Sequence, residues 1–281
     1  KIGLVLGSGG LKPIASIALF DFLRSEQIEL DLIVGCSGGS IYAAMYSMGY
    51  STDEMIEFTR RFLENKGFGQ IDYRTVLSVG KLPGGQFDLS RGILKDQAPL
   101  EMCQEVFKNV CLEDLPVRTL LQATDLQSGQ GVVLEQGALA ECVYGSAAMY
   151  PLLPPIFLQG RCLADGAFTA PLPITEAVKQ GADLIISMLF HEKMVSSPRR
   201  FIDTFYNVNR IYGQALAQSQ LSLAIDLHHY ETILVNTYFE EPIPFSDPAY
   251  IEAVLEEGQR AVAAQRDEIL RAIENFQHLN H

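Results

Sequence analysis

The chain has no tryptophan, only five histidines and no surplus of positive charge. Its 281 residues include 21 Lys and Arg against 34 Asp and Glu, which gives a net charge of −13. Binding nucleic-acid phosphates needs a basic face, so the composition argues against a nucleic acid partner. The same charge disfavours tight electrostatic docking on anionic lipid, although transient contact with a membrane surface through an apolar patch stays open.

Other absences bear on compartment and cofactors. The five cysteines are odd in number, dispersed and without a C-x-x-C pair, which is typical of a reducing compartment. No apolar run approaches the roughly 18 residues of a membrane span, and the first residues lack the plan of a signal peptide. No H-E-x-x-H or EF-hand pattern occurs, so we expect no metal and no cofactor. The sequence therefore predicts a cytoplasmic protein, and because Lys1 falls within a strand pattern we expect residues to precede it.

The most informative stretch that is present is Gly35-Cys36-Ser37-Gly38-Gly39. A short buried strand is predicted before it and a helix of small and apolar residues after it. A G-x-S-x-G sequence at such a junction is a nucleophile elbow, with the serine on a tight turn and the hydroxyl exposed. The positive end of the following helix faces any oxyanion that develops there. Cys36 is an alternative nucleophile, but in this geometry its side chain points away and packs.

Strands alternate with helices along the chain, which predicts an α/β fold with a mostly parallel sheet and helices on both faces. Residues 67–95 are rich in Gly, Pro and Lys and show little periodicity, so they are interpreted as a mobile excursion, with the part from Tyr73 to Phe87 a candidate lid or acyl-pocket wall. A long helix is predicted from Ser196 to about Leu223, and Asp247-Pro248 begins a terminal helix. We find no internal repeat and no domain boundary.

A glycine loop, Gly7-Ser8-Gly9-Gly10-Leu11-Lys12, follows the first predicted strand. Consecutive glycines let backbone N–H groups point into one concavity that favours an anion. The loop departs from the phosphate-binding and dinucleotide-binding sequence patterns. A phosphate cradle, an oxyanion hole for Ser37 and a tight turn without a ligand are all compatible with its residues.

A serine nucleophile needs a base. The sequence favours none of the five histidines for this role: His191, His228, His229, His278 and His281. Asp165-Gly166-Ala167 instead places an acid at the end of a predicted strand. An aspartate with an ordinary pKa of about 3.9 is a weak base, so Asp165 would have to be desolvated and within hydrogen-bond reach of Ser37. Taken alone, this tripeptide is also compatible with an ordinary turn.

In this order, the motifs resemble the patatin-like phospholipases, serine acyl hydrolases that use a Ser–Asp dyad. The glycine loop looks like the oxyanion loop of the family, the pentapeptide like its elbow, and Asp165-Gly166-Ala167 like its D-G-[AG] motif. Ala123-Thr124-Asp125-Leu126 and Gly145-Ser146-Ala147-Ala148 look like two further family blocks. The resemblance covers about residues 1–190. It implies a three-layer α/β/α domain over residues 1–281, with 191–281 as its helical C-terminal completion.

The resemblance also implies site residues and a reaction. Ser37 and Asp165 would be catalytic, and the oxyanion hole would use Gly9, Gly10 and Leu11. Residues in supporting positions would be Lys12, Gly35, Gly39 and Gly166. The substrate would be a lipid or another ester, cleaved in two steps through an acyl-enzyme without a metal.

Two alternatives remain. One is an acyltransferase of the malonyl-transfer kind, which also has an elbow serine but depends on a histidine base. The other is a non-catalytic regulator or adaptor, because Ser8 and Pro13 stand where the family usually has glycine in its oxyanion loop. Pro13 lacks an N–H and stiffens the end of the loop, which would reshape the oxyanion hole.

Overall fold

A computed structural model describes residues 1–65, 67, 69–228, 231–244 and 247–279 of the chain. Two of the histidines considered above, His229 and His281, lie outside the described residues. Among those described, no helix is both long and apolar enough to cross a lipid bilayer.

Eight strands alternate with nine α-helices in the described residues. The strands are β1 Ile2–Leu6, β2 Leu32–Cys36, β3 Arg118–Asp125, β4 Gly131–Leu134, β5 Ile156–Leu158, β6 Arg161–Asp165, β7 Leu184–Glu192 and β8 Thr232–Phe239. The helices are α1 Ser16–Ser25, α2 Gly38–Ser47, α3 Thr52–Glu64, α4 Tyr73–Val79, α5 Gln97–Phe107, α6 Leu139–Ala147, α7 Ile174–Lys179, α8 Phe201–Leu227 and α9 Ile251–Leu279.

All eight strands belong to one sheet, in the order β5-β6-β3-β2-β1-β7-β8, with β4 paired to β3. The central strands β3, β2, β1, β7 and β8 are parallel to one another. Strands β4, β5 and β6 form an antiparallel end of the sheet. The sheet is thus mostly parallel, which confirms the predicted fold class, and it contains strands from both the motif-bearing and the C-terminal parts of the sequence.

Helices cover both faces of the sheet, but unequally. Alternate side chains of one strand serve different cores: Leu4 and Leu6 pack into the larger core, which contains buried side chains of α1, α2, α3, α5, α6 and α9. Val5, between them, packs into the smaller core beneath α7 and α8. This alternation follows from the two-residue period of a strand buried on both faces. The result is a three-layer arrangement with one thick and one thin helical layer.

Most elements lie where the sequence predicts them, with two exceptions. Residues 67–95 are not wholly irregular, because α4 forms two helical turns capped by the Asp72 side chain, which accepts a hydrogen bond from the Arg74 N–H. In addition, Asp165 does end a strand as predicted, but this strand, β6, is antiparallel to β3, a direction that the expectation of a mostly parallel sheet did not indicate. The elbow junction and the long C-terminal helices agree with the predictions. Helix α3 begins with a capping box formed by Ser51 and Glu54, two residues that are close in sequence.

Helix α9 packs closely against the 3-10 turn Lys12–Ala15 that follows the glycine loop. Gly258 is the point of closest approach: a Cβ atom there would lie 2.4 Å from the Ala15 carbonyl oxygen. A glycine inside a helix ordinarily destabilises it by about 0.5–1 kcal/mol relative to alanine. Its presence here allows the helix and the turn to come into contact.

Two glycines inside the long helices provide a matched test. We expect Gly258→Ala to lower the melting temperature, since α9 would have to shift away from Ala15. Gly213→Ala in α8 should raise stability by about 0.5–1 kcal/mol, because nothing lies within 4 Å of the added Cβ. Thermal unfolding followed by circular dichroism measures both, and equal effects of the two substitutions would contradict the close packing of α9.

Candidate active site

Ser37 lies on a sharp turn between β2 and α2. Its backbone has φ 54° and ψ −126°, a left-handed conformation that side-chain-bearing residues rarely adopt. Such strain costs on the order of 1–3 kcal/mol and persists only where the surroundings impose it. The turn gives the elbow geometry that the pentapeptide predicts, with Ser37 immediately before the first turn of α2.

The glycines around this turn are required by close backbone contacts. A Cβ on Gly39 would lie 2.3 Å from the Leu6 carbonyl oxygen, and one on Gly35 would lie 2.8 Å from the Ser40 Cα. Gly166 has the same role beside Asp165, because a Cβ there would lie 2.2 Å from the Gln122 carbonyl oxygen. These three glycines bring β1, α2 and the Asp165 turn close together.

The structure brings Ser37 and Asp165 together although 128 residues separate them. The Ser37 hydroxyl donates a hydrogen bond of 2.6 Å to Oδ2 of Asp165. The other carboxylate oxygen, Oδ1, accepts a bond of 2.8 Å from the Ala167 N–H. Both side chains are buried, with Ser37 4% and Asp165 1% exposed.

Burial changes the acid–base character of Asp165. Desolvation raises the pKa of its carboxyl to about 6, although the bonds from Ser37 and from the Ala167 N–H act in the opposite direction. A carboxylate with this pKa is a stronger base than an exposed aspartate and is still mostly ionised at pH 7. Burial and the charge of Asp165 also raise the pKa of the Cys36 thiol, so the cysteine beside the elbow is a poor thiolate.

Asp165 reaches Ser37 because β6 is antiparallel. Ala123 of β3 pairs with Asp165, while the neighbouring Gln122 pairs with Cys36 at the end of β2. Strand β6 thus begins beyond the carboxyl edge of the central strands and ends at the level of the elbow. A parallel β6 would have carried its C-terminal residue in the opposite direction along β3.

The glycine loop lies directly against the elbow. The Gly10 carbonyl oxygen would be 2.6 Å from a Cβ on Gly38. The Ser8 N–H donates to the Pro171 carbonyl oxygen at 2.7 Å, so it is directed away from Ser37. In the described part of the chain, no acceptor pairs with the N–H groups of Gly9, Gly10 and Leu11.

Pro13 has no backbone N–H, but at its position in the chain no hydrogen bond is lost. It falls in the first turn of the 3-10 segment Lys12–Ala15, where an N–H would have no partner within the turn. Its ring packs beside the elbow, with Cγ 3.1 Å from the position of a Cβ on Gly38. The departure from the family pattern at Pro13 therefore stiffens the end of the loop without removing one of the three unpaired N–H groups.

Sequence reasoning missed a role for Ser146. Its hydroxyl accepts the Ser37 N–H at 3.1 Å and donates to the Gln122 carbonyl oxygen at 2.6 Å, and it is fully buried. Ser146 thereby links the elbow to β3. Its position in the block Gly145-Ser146-Ala147-Ala148 was the only available signal. Gly38 was missed as well: it follows the serine at the start of α2, where N–H groups lack intrahelical partners.

A buried ionic cluster connects the glycine loop to α8. Glu192, whose side chain is 2% exposed, pairs with Lys12 and accepts a bond of 3.0 Å from Nε of Arg210. It also accepts the Ile243 N–H at 3.2 Å. Burial lowers the pKa of Lys12, and the pairing with Glu192 opposes that shift. Lys12 therefore holds the loop in place through Glu192.

A cleft of about 1090 Å³ opens beside Ser37 and Asp165. The glycine loop, Met149, Phe168, the end of β7 and one side of α8 line it. His191 also lines the cleft, but its ring is hydrogen-bonded to Asn236 and stacked on Tyr238. No group of three or more His, Cys, Asp and Glu side chains in the described ranges is arranged to hold a metal ion.

The links through Ser146 can be tested by substitution. We expect Ser146→Ala to destabilise the fold by about 1–3 kcal/mol, because it leaves the buried Ser37 N–H and Gln122 carbonyl unpaired. Ser222→Ala is the control, since the Ser222 hydroxyl bonds only to its own helix on an exposed position. Chemical denaturation measures both free energies of unfolding, and an unchanged value for Ser146→Ala would show that the link is not needed.

Comparison with known proteins places this geometry in a family. The family model of the patatin-like phospholipases matches residues 4–178. Lysophospholipase NTE1 of the yeast Meyerozyma guilliermondii is 28% identical over 204 residues, which are 72% of this chain and 13% of that protein. An uncharacterized NTE family protein of Mycobacterium bovis is 28% identical over 191 residues, 67% of this chain and 48% of the other. The chain thus spans half or less of the length of these relatives.

Among solved structures, VipD from Legionella pneumophila has a similar fold, with a TM-score of 0.53 and 16% sequence identity. The match covers 95% of this chain and 66% of that one. The family model covers most of the sheet, the glycine loop, the elbow and Asp165 in one continuous match. The chain belongs to the patatin-like phospholipase family.

Proposed function

We propose that this protein is a lipid acyl hydrolase that cleaves carboxylic esters of lipids with a Ser37–Asp165 dyad. The observation that carries the proposal is the 2.6 Å hydrogen bond from the Ser37 hydroxyl to a buried carboxylate. Membership of the patatin-like phospholipases and similarity to yeast proteins named lysophospholipases support lipid as the substrate class.

In the first step, Ser37 Oγ attacks the ester carbonyl and Asp165 accepts the hydroxyl proton. The carbonyl oxygen becomes an oxyanion, and the proton passes from Asp165 to the alcohol as the C–O bond breaks. Asp165 can take this proton because its raised pKa lies closer to neutral pH than that of an exposed aspartate. The products of the step are a free alcohol and a Ser37 ester of the fatty acid.

The unpaired N–H groups of Gly9, Gly10 and Leu11, together with that of Gly38, are the oxyanion donors in this proposal. The N-terminus of α2 adds a positive dipole end at the same place. Preorganised donors of this type are each worth about 10²–10³ in kcat. Because Ser8 donates to Pro171 instead, the serine in the loop is not needed as a donor.

In the second step, Asp165 takes a proton from water, and the hydroxide attacks the acyl-enzyme. Collapse of the second oxyanion releases the fatty acid and returns the proton to Ser37. One carboxylate therefore serves as base and acid in both halves of the cycle. The cleft beside the dyad is large enough for an acyl chain, and apolar side chains such as Met149 and Leu216 line it.

The acyltransferase alternative needs a histidine base, and among the described residues Asp165 is the side chain that pairs with the Ser37 hydroxyl. The adaptor alternative drew on Ser8 and Pro13, and neither removes the unpaired N–H groups of Gly9, Gly10 and Leu11. The hydrolase is therefore the function that the geometry supports best.

Replacement of the nucleophile tests the proposal. We expect Ser37→Ala to abolish hydrolysis of a short p-nitrophenyl ester and labelling by a fluorophosphonate probe, while the protein stays folded. Cys36→Ala is the matched control, because the neighbouring thiol has a raised pKa and should contribute nothing to either readout. Persistent labelling of the Ser37→Ala protein would refute the assignment of the nucleophile.

The pH dependence tests the base. Since Asp165 must be ionised to accept the serine proton, kcat/KM for the soluble ester should rise with pH and level off above about 6. Below that value it should fall about tenfold per pH unit, as expected for one essential ionised group. Asp165→Asn should lower kcat by about 10²–10⁴ on the plateau above pH 6, and the difference from the parent should shrink at lower pH, where Asp165 is itself protonated. Retained activity in Asp165→Asn together with its loss in His191→Ala would instead favour the acyltransferase.

A further inference from the structure

Exposed apolar side chains are concentrated in two segments of the chain. Among the residues that the structure describes, sixteen large apolar side chains are exposed, and ten of them lie within residues 71–95 and 193–212. The most exposed of them are Phe201 at 84%, Val79 at 79%, Tyr212 at 72%, Tyr73 at 71% and Phe87 at 70%. Single apolar residues on a surface are ordinary, but a concentration of this size marks a contact surface.

Both segments are connected to residues that line the active-site cleft. Residues 193–200 continue from the carboxyl end of β7, which pairs with β1, and they lead into α8, whose residues between Tyr206 and Leu221 line the cleft. In the other segment, the N–H groups of Ile93 and Leu94 donate to the carbonyls of Pro151 and Leu152, each at 2.8 Å. These bonds join the end of the segment 71–95 to the loop that follows Met149, and Met149 lines the cleft.

Helix α8 carries few charged side chains for an exposed helix, as a comparison with α9 shows. The two are the longest helices, yet α9 has nine charged residues among 29 and α8 has three among 27. In α8 Ala224 is the fully buried residue, and Ala217 and Leu221 pack partly buried against the smaller core, so most of the other apolar side chains of α8 lie outside the core. A helix with this composition is expected to be covered by something other than water.

The charge of the two segments is opposite to that of the rest of the chain. Residues 71–95 have four basic and two acidic side chains. Residues 193–212 have four basic and one acidic, and apart from Arg210, which pairs with the buried Glu192, three of these basic residues remain. Both segments are thus net positive within a protein whose net charge is −13. Aromatic and aliphatic side chains accompanied by Lys and Arg are typical of protein surfaces that lie on lipid head groups.

We infer that residues 71–95 and 193–212 form a lipid-docking surface, which seats the cleft mouth on a phospholipid bilayer containing anionic lipid. The choice of a lipid as the occupant rests on the proposed function, because a lipid acyl hydrolase takes its substrate from such a surface. The negative charge of the remaining chain keeps the other faces away from the same membrane. The overall charge had argued against tight docking on anionic lipid, and the local charge supports it at this one face.

The experiment measures vesicle binding by co-sedimentation with the Ser37→Ala protein, which leaves the lipid intact. One set of vesicles is phosphatidylcholine alone, and the other contains about one third phosphatidylglycerol. We expect binding to both, tighter to the anionic vesicles and weakened by salt. Phe201→Glu, Val79→Glu and Phe87→Glu should each weaken binding by about tenfold or more, since each places a negative charge in the apolar contact.

Ile225→Glu is the matched control, because Ile225 is a 57% exposed apolar residue at the other end of α8. It should bind vesicles as the parent protein does. With Ser37 restored, Phe201→Glu should hydrolyse the soluble ester at the parent rate, and thermal melting checks that each variant is folded. If the parent protein hydrolyses no ester but the binding pattern holds, the proposed function fails and the docking surface stands.

Three results would overturn the docking surface. One is absence of binding to both sets of vesicles. Another is an equal loss of binding in Ile225→Glu and Phe201→Glu, which would mean that the whole of α8 is covered. The third is a parent protein that is dimeric in sedimentation velocity and becomes monomeric in Phe201→Glu without vesicle binding, because the surface would then join two copies of this chain.

Discussion

The site depends on burying one carboxylate next to one serine. Asp165 is 1% exposed and has two hydrogen-bond donors, the Ser37 hydroxyl and the Ala167 N–H. Removal from water destabilises the ionised form, and these two bonds compensate only in part, so the pKa of the carboxyl stays raised at about 6. Additional hydrogen-bond donors to the carboxylate would stabilise its ionised form and the fold. They would also lower the pKa of Asp165 and so make it a weaker base. In the proposed mechanism, this incomplete compensation is what allows Asp165 to act as a base for Ser37.

Ser37 and Asp165 can lie side by side only because the backbone segments around them are in very close contact. At the closest points there is no room for a Cβ atom, so the residue there is glycine. Three such contacts are those of Gly39 with Leu6, Gly166 with Gln122 and Gly258 with Ala15. Together they fix the elements that surround the site. The strain at Ser37 persists because α2 and β1 cannot separate without breaking these contacts. Lys12 and Glu192 then hold the outer end of the glycine loop.

Much of the site could be predicted because its motifs are local. The elbow and the capped start of α3 follow from residues adjacent in sequence, so spacing alone indicates them. Pairing between distant segments could not be predicted in this way. The antiparallel direction of β6 depends on which neighbour it meets in the sheet, and Ser146 acts only because α6 brings it against the elbow. Helix α4 was missed because its turns bury few apolar residues, which leaves little periodicity to detect.

The helical layers on the two faces of the sheet differ in charge, so the net charge of the chain does not describe every part of its surface. The thick layer ends in α9, whose many charges suit an outer face in water. The thin layer ends in α8, which has few charges and lines the cleft. The net charge of the chain is a sum over all of its surfaces. It therefore mainly reflects the charged surface that includes α9. In the proposed docking surface, residues 71–95 and 193–212 are apolar and locally positive, in contrast to the net charge of the chain. The fold determines which residues lie together on one surface. A binding partner responds to the local charge and hydrophobicity of that surface and not to the average over the chain.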